Sequence, residues 1–530
     1  MVVAPQPEAV EAGAAMLAAG GNALDAALAC ALTQGVVDPM MCGIGGIATL
    51  QVFDPKTGTH QVINGLGTCP AAAREDMWAD AFEGECSDGF GYRVKGYANE
   101  LGPLAVTVPG ALRVFADAHA RLGRKPWAAL FEAAMGFATE GWIIRPHVHA
   151  MFTLDERPYG RLSYVQKLGH TEEGRALYLR PDGTPKRLGE TVRNPALAAT
   201  LRRIAAGGAE EFYRGGIARE IVAVMQAEGG LITLADLAGF RAAVSAPLAV
   251  PYRGFTVALP EPPAGGVVVG EMLRILERFD LAALGHNTPA YIQVVAEAMK
   301  IAGLDKETHV GDPAFQPVPV ERLLSDAYAD ECAVRIRRGE RASLVRATTD
   351  APNTTHVSCT DAEGMVVSMT HTLAVPSGVI PPGTGFMLNG AMNWMDPRPG
   401  RAGSIAPGKR RYSSMSPAIV LEDGRPVATL GAPGGAWITV AVMQVLLNLL
   451  DWGMGMQEAV SAPRFSATSE TVDLSNRIPR ATEKALAAMG YATKRSYQSY
   501  AFAGVHGITL WDGVPEGGAD PQRDGYAAGV

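Results

Sequence analysis

The sequence predicts a mixed α/β (α+β) protein in which antiparallel hairpins are covered by helices, and three stretches carry that expectation. Two Ala-rich helical patterns open the chain, a glycine-rich turn then leads into a pair of strands, and a clear hairpin spans residues 355–372. With 530 residues, of which 48% are hydrophobic and 19% charged, there is ample apolar material for a large core.

Taken in order, the helical pattern from Glu8 to Ala19 stops at Gly20-Gly21, and that from Ala23 to Val36 stops at Asp38-Pro39. Glycine or proline just past the last periodic residue is the usual helix stop. Met41-Cys42-Gly43-Ile44-Gly45-Gly46 then opens a strand, Ile47 to Phe53, with Thr59 to Ile63 returning after Asp54-Pro55-Lys56-Thr57-Gly58. A dinucleotide-binding fingerprint needs its glycines after a strand and before a helix. Here the order is reversed, so close backbone packing is the better reading. Helix periodicity follows in Pro109–Val114, Pro126–Thr139, Asn194–Gly207 and Phe212–Glu228, with Thr233 as N-cap of Leu234–Leu237. Pro251 to Pro260 reads as a strand and Val267 to Arg278 as a helix. The tract from Arg338 to Pro352 is polar and irregular, which suggests an exposed, mobile strip. After it, Thr355–Thr360 and Met365–Thr372 flank the turn Asp361-Ala362-Glu363-Gly364, placing Thr354 at a sheet edge. A second hairpin, Ser416–Glu422 and Pro426–Leu430, runs into Gly431-Ala432-Pro433-Gly434-Gly435 and an apolar helix from about Ala436.

Bulk properties exclude several function classes. A net charge of -8 without a basic block gives no electrostatic support for nucleic acid or an anionic membrane, which leaves a small-molecule or peptide ligand. The start lacks a secretory pattern and no apolar run is long enough to span a bilayer, so a cytoplasmic location is expected. The six cysteines form no C-x-x-C pair and read as free thiols. His147-x-His149 has no matching carboxylate cluster, so no metal is expected, and nothing calls for a cofactor.

The chemistry concentrates at Asn353-Thr354-Thr355-His356. A threonine hydroxyl is a weak nucleophile, but once the Asn353–Thr354 bond is cut, the new α-amine, with a pKa of about 8, can act as its base. Backbone N–H groups in a glycine turn at a helix start, here Gly434 and Gly435, suit the oxyanion.

Several motifs in one order, covering essentially the whole chain, resemble the γ-glutamyltranspeptidase family of N-terminal-nucleophile hydrolases. They are Gly20-Gly21-Asn22-Ala23-Leu24-Asp25-Ala26-Ala27, Asn353-Thr354-Thr355-His356, Thr370-His371-Thr372-Leu373, Lys409 to Pro417, Gly431-Ala432-Pro433-Gly434-Gly435 and Gly518-Ala519-Asp520-Pro521. The resemblance implies a four-layer αββα sandwich. It also implies a precursor that cleaves itself into a large subunit (1–353) and a small subunit (354–530), which stay together as one compact domain. Thr354 is then the nucleophile, Thr372 its hydrogen-bonding support, Gly434 and Gly435 the oxyanion hole, and Ser413 and Ser414 substrate contacts. Taken alone, Ser413-Ser414 would be a turn or cap and Gly434-Gly435 a helix-start turn. His356 and His371 read as structural.

Departures from the family bear on the substrate. Where glutathione-cleaving members carry an arginine for the glutamyl α-carboxylate, this chain has Leu66, and Ala374 replaces an asparagine after the supporting threonine. Ala391 and Trp394 stand where the α-amino group would be held. Every charged anchor of that pattern is gone. Leaving such a head group unpaired in a closed pocket costs about 3–5 kcal/mol per broken ion pair, hundreds-fold or more in affinity. An apolar pocket of Leu66, Ala374, Ala391 and Trp394 suits an acyl group without an amino-acid head, which is similar to the cephalosporin (glutaryl) acylase and small-amide hydrolase branch. The sequence therefore predicts amide hydrolysis through an acyl-Thr354 intermediate, with acyl transfer as a side activity. A γ-glutamyltransferase or glutathione hydrolase that anchors its substrate differently, and an uncleaved, non-catalytic family member, remain as alternatives.

Overall fold

The hairpin at residues 355–372 forms the middle of the larger of the two main antiparallel sheets in the computed structural model, which describes residues 1–87, 91–344 and 353–530. Strand Thr355–Thr360 pairs with Val366–Thr372, which pairs in turn with Ile47–Asp54, Thr59–Gly65 and Ala243–Ser245. On its other side Thr355–Thr360 pairs with Val2–Ala4, and that strand with Tyr526–Ala528. The strand after Thr354 is therefore interior, not at a sheet edge as the sequence suggested. Its outer neighbour, Val2–Ala4, is too short to show an alternating pattern and pairs across more than 350 residues of chain.

The second sheet has six strands in the order Glu516–Ala519, His506–Thr509, Arg425–Gly431, Ala418–Glu422, Phe255–Leu259 and Leu248–Tyr252. The two sheets face each other through polar side chains that reach backbone across the gap. Ser358 Oγ donates to His506 O at 3.3 Å, Ser368 Oγ to Leu430 O at 3.1 Å and Gln51 Nε2 to Ala258 O at 3.3 Å. Helices cover both outer faces. Pro7–Ala18, Ala23–Val37 and Ala111–Leu122 share one apolar core with the first sheet, and Gly266–Leu276, Pro289–His309 and Ile438–Leu450 share another with the second. The four-layer αββα arrangement follows, with an apolar core in each outer interlayer and a narrower, hydrogen-bonded seam between the sheets.

Local chemistry accounts for the elements that position the site. Asn22 caps Ala23–Val37 by accepting from the Asp25 N–H at 2.9 Å, while the Asp25 side chain accepts from the Asn22 N–H at 3.0 Å. This reciprocal capping box explains the Asn22…Asp25 spacing. At the other end of that helix, Gln34 Nε2 donates to Thr355 Oγ1 at 2.8 Å and Gln34 Oε1 meets His371 Nε2 at 2.8 Å. A fully buried amide thus ties the helix to both strands of the central hairpin.

Some elements differ from expectation. Phe212–Glu228 is broken into Glu210–Tyr213 and Gly216–Glu228, because Arg214-Gly215 leaves helical geometry. Pro251–Pro260 is two strands, Leu248–Tyr252 and Phe255–Leu259, joined by a tight turn in which Arg253 and Gly254 both take positive φ. Pro126–Thr139 begins as 3-10 helix, Trp127–Phe131, before Glu132–Glu140. Of the polar strip before Thr354, Arg338 to Arg341 are exposed, whereas Ala342 and Leu344 are buried; residues 345–352 lie outside the described residues. All six cysteines are buried free thiols.

Candidate active site

Register brings the first pair of site residues together. Thr355 is opposite His371 in the central ladder, so one more step places Thr354 opposite Thr372. The spacing of these two threonines is thus the geometry of one hairpin. Thr354 Oγ1 donates to Thr372 Oγ1 at 3.2 Å, and Thr372 Oγ1 also accepts from the Ala374 N–H at 2.9 Å. With its hydroxyl proton directed at Thr372, the Thr354 oxygen keeps its lone pairs for attack. Both residues are 2% exposed.

The backbone at Thr354 is strained. Its φ is +90°, a region that a β-branched residue rarely enters. Such a conformation costs on the order of 1–3 kcal/mol and persists only where the surroundings impose it. Four contacts do so here. Asn353 O accepts from the Gly434 N–H at 2.8 Å, and Thr354 O accepts from Arg523 Nη1 at 3.2 Å. The Tyr164 hydroxyl donates to Asn353 Oδ1, and the Gln34 bond holds Thr355. Burial pushes the Tyr164 phenol well above its ordinary pKa, so it stays protonated and able to donate.

The glycine turn is positioned from both sides. Gly434 takes φ +141°, and a Cβ there would lie 2.3 Å from that of Ala503. Ser414 Oγ donates to Gly435 O, fixing the turn to the segment that follows the two arginines, while Ser413 Oγ accepts from the Met415 N–H at 3.4 Å. Ala503 O accepts from Arg464 Nη2 at 2.7 Å, and Arg464 is in a buried ion pair with Asp520. The closing Gly518-Ala519-Asp520-Pro521 motif therefore acts at a distance, through Arg464 and Ala503, on the Gly434 turn. On the opposite side Gly46 packs so tightly that a Cβ would meet Thr372 O at 2.4 Å, which is what the glycine-rich stretch at 43–46 provides.

Leu66, Ala374 and Ala391 form one buried apolar cluster with Ile47, Ala264 and Met415. Trp394 is not in it; it packs against Val375, one residue beyond Ala374. A cavity of about 430 Å³ lies alongside, lined among others by Trp394, Tyr412, Ser414, Thr439 and Val440. His356 and His371 are fully buried and held at about pKa 3, mainly by desolvation, with His356 bonded to Thr370 and Ser358 and His371 to Gln34. They stay neutral and brace the ladder.

The family model for gamma-glutamyltranspeptidase matches residues 9–530. The chain belongs to the γ-glutamyltranspeptidase family. It is 38% identical over 541 residues to an acylase ACY 1 proenzyme from Pseudomonas sp. (strain V22), covering 100% of this chain and 93% of that one. To a glutathione hydrolase proenzyme of Escherichia coli (strain K12) it is 33% identical over 484 residues, 88% and 80% of the two chains. The solved cephalosporin acylase from Bacillus halodurans superposes with a TM-score of 0.87 at 30% identity, over 99% and 95% of the two chains.

Sequence reasoning missed four residues of this γ-glutamyltranspeptidase-family site. Tyr164 and Arg523 reach it from 189 and 169 positions away and Arg464 acts through Ala503, 39 positions on, and nothing local marks them. Arg411 was visible within the Lys409-Arg410-Arg411 run, but a sequence does not say which cation is neutralised. Arg410 pairs with Asp312 at 2.6 Å; Arg411 is 2% exposed and stacks on the Trp394 ring at 3.9 Å.

Proposed function

We propose that this chain is a precursor that cuts itself before Thr354 and then hydrolyses the amide of a small acyl group lacking an α-amino-acid head. The observation that carries the first half is the Gly434 N–H on the carbonyl of the strained Asn353–Thr354 peptide. In maturation, Thr354 Oγ1 attacks the Asn353 carbonyl carbon, the oxyanion forms against Gly434, and the C–N bond breaks as the Thr354 nitrogen takes the proton. Water then hydrolyses the Asn353–Oγ1 ester, leaving a carboxylate on Asn353 and a free amine on Thr354.

Cleavage would leave chains 1–353 and 354–530 interleaved. Val2–Ala4 and Ile47–Asp54 flank the 355–372 hairpin, so the two chains share one sheet and one core and stay associated as a single unit.

In catalysis the freed Gly434 N–H, with that of Gly435, receives the substrate oxyanion. Thr354 Oγ1 attacks the substrate carbonyl, the α-amine takes the hydroxyl proton and delivers it to the leaving amine, and water resolves the acyl-Thr354 ester. Ser414 borders the cavity, Ser413 and Ser414 contact the substrate, and the acyl chain lies on Leu66, Ala374 and Ala391, with Trp394 beyond them. The names of the acylase relatives support this reading. It is tested with matured enzyme on glutaryl and γ-glutamyl anilides, which differ only in the α-ammonium. Faster turnover of the glutaryl compound is expected; a γ-glutamyl preference would overturn it.

A further inference from the structure

Tyr164 touches the residue before the nucleophile, its hydroxyl donating to Asn353 Oδ1 across 189 positions of chain. Of the two polar atoms on that side chain, Oδ1 is met by the phenol, whereas Nδ2 has no hydrogen-bond partner among the described residues. Asn353 is 1% exposed and Tyr164 is fully buried, so neither group can turn to water for a substitute. Removing one member of such a pair strands the other, which costs more than the net worth of the bond itself.

The phenol is held by charges for which the chemistry has no other use. Tyr164 opens the short helix Tyr164–Leu168, where Ser163 Oγ accepts from the Gln166 N–H at 3.4 Å and Gln166 Oε1 from the Ser163 N–H at 3.0 Å. The Tyr164 N–H donates to Leu154 O at 2.9 Å, and Lys167 Nζ lies 4.8 Å from the centre of the Tyr164 ring. That ammonium pairs with Glu100 at 2.8 Å and Glu156 at 3.1 Å, and Arg161 pairs with Glu156 at 3.0 Å, all four side chains being at most 2% exposed. Burial raises the Glu156 pKa, but Arg161 and Lys167 outweigh it and hold the carboxyl below its usual value. Apolar packing of the same volume would stabilise the fold as well as such a cluster does.

We propose that Tyr164 is a specificity-determining residue of the self-cleavage step: its phenol reads the side-chain oxygen of residue 353 and so holds the scissile carbonyl in place, while the Glu100, Glu156, Arg161 and Lys167 cluster fixes the phenol. The inference rests on the self-cleavage reading above and names what selects the residue before Thr354. Asn353 is gripped at its backbone oxygen by the Gly434 N–H at 2.8 Å and at Oδ1 by Tyr164. Two grips set the direction of the carbonyl toward Thr354 Oγ1; with one, the carbonyl can swing and the φ of +90° at Thr354 can relax. No bond forms or breaks at Tyr164, and its proton stays on the phenol throughout.

The test times the appearance of the 354–530 chain after cell-free synthesis of the full chain, for wild type, Tyr164→Phe, Asn353→Leu and the double variant. Each single change strands a buried partner and should slow cleavage by about tenfold. The double change replaces both partners by apolar groups of similar shape, and should cleave no more slowly than the slower single variant. Independent losses that multiply to about 100-fold in the double variant, as two merely structural effects would, or Tyr164→Phe cleaving at the wild-type rate, count against the proposal. Should Tyr164→Phe not fold, Asn353→Leu decides: slowing by about tenfold sustains the proposal and the wild-type rate overturns it. Wild type that stays uncut sinks the self-cleavage reading itself, whereas wild type that cuts without this coupling sinks only the assignment of Tyr164.

Discussion

The backbone N–H of Gly434 donates to the carbonyl oxygen of Asn353 at 2.8 Å, which in the proposed self-cleavage is where negative charge develops. A donor aimed at a developing oxyanion is worth about 100- to 1000-fold in rate. Gly434→Ala would have to fit a Cβ 2.3 Å from Ala503 at φ +141°, and so must displace the donor. Self-cleavage of this variant, followed by denaturing electrophoresis over time, should slow by about 100-fold or more. Cleavage at the wild-type rate would contradict the assignment.

Thr372 gives Thr354 its hydrogen-bond acceptor. Thr372→Val keeps the shape and removes the acceptor, and both self-cleavage and acyl-anilide turnover should fall by about 100-fold. Thr372→Ser should restore most of both. Equal loss in the valine and serine variants would point to packing in place of polarisation.

How far the sequence revealed this site depended on distance along the chain. Thr354 and Thr372 belong to one hairpin, and Asn22 and Asp25 to one helix turn, so alternation and capping chemistry disclosed them locally. The interior position of Thr355–Thr360 was hidden because its second neighbour is a three-residue strand at the other end of the chain. Leu66, Ala374 and Ala391 do converge as their apolar character suggested, whereas Trp394 joins Arg411. That last pairing was invisible, since adjacent arginines look alike until one finds Asp312 and the other finds no such partner among the described residues.

Stability should depend on two of the buried histidines. His356 and His371 have folded pKa values of about 3, depressed by burial below the value of about 6.5 expected unfolded. Between those values the unfolded chain binds more protons, so stability rises with pH there. It is fully present above about pH 6.5 and is lost as pH falls toward 3, with a slope of up to about 1.4 kcal/mol per pH unit for each histidine. Urea midpoints measured from pH 7 to pH 4 should fall steadily. His371→Asn should flatten the decline, and an unchanged slope in that variant would contradict the assignment.

Asp520 and Arg464 are both buried, and Arg464 carries Ala503 against Gly434. Asp520→Ala leaves the guanidinium uncompensated, at a cost of about 3–5 kcal/mol. The urea midpoint should drop accordingly, and self-cleavage should slow because the glycine turn loses its backing. Loss of stability with wild-type cleavage kinetics would uncouple the closing motif from the oxyanion site.

The central claim is that the chain cuts itself at one bond and that the product carries the nucleophile at its N-terminus. Intact-mass analysis and N-terminal sequencing of purified protein test this most directly. Two co-eluting chains ending at Asn353 and starting at Thr354 are predicted for wild type, with Thr354→Ala remaining a single 55.7 kDa chain. Wild type that stays one intact chain while hydrolysing acyl anilides, or a break at any other bond, would contradict the account.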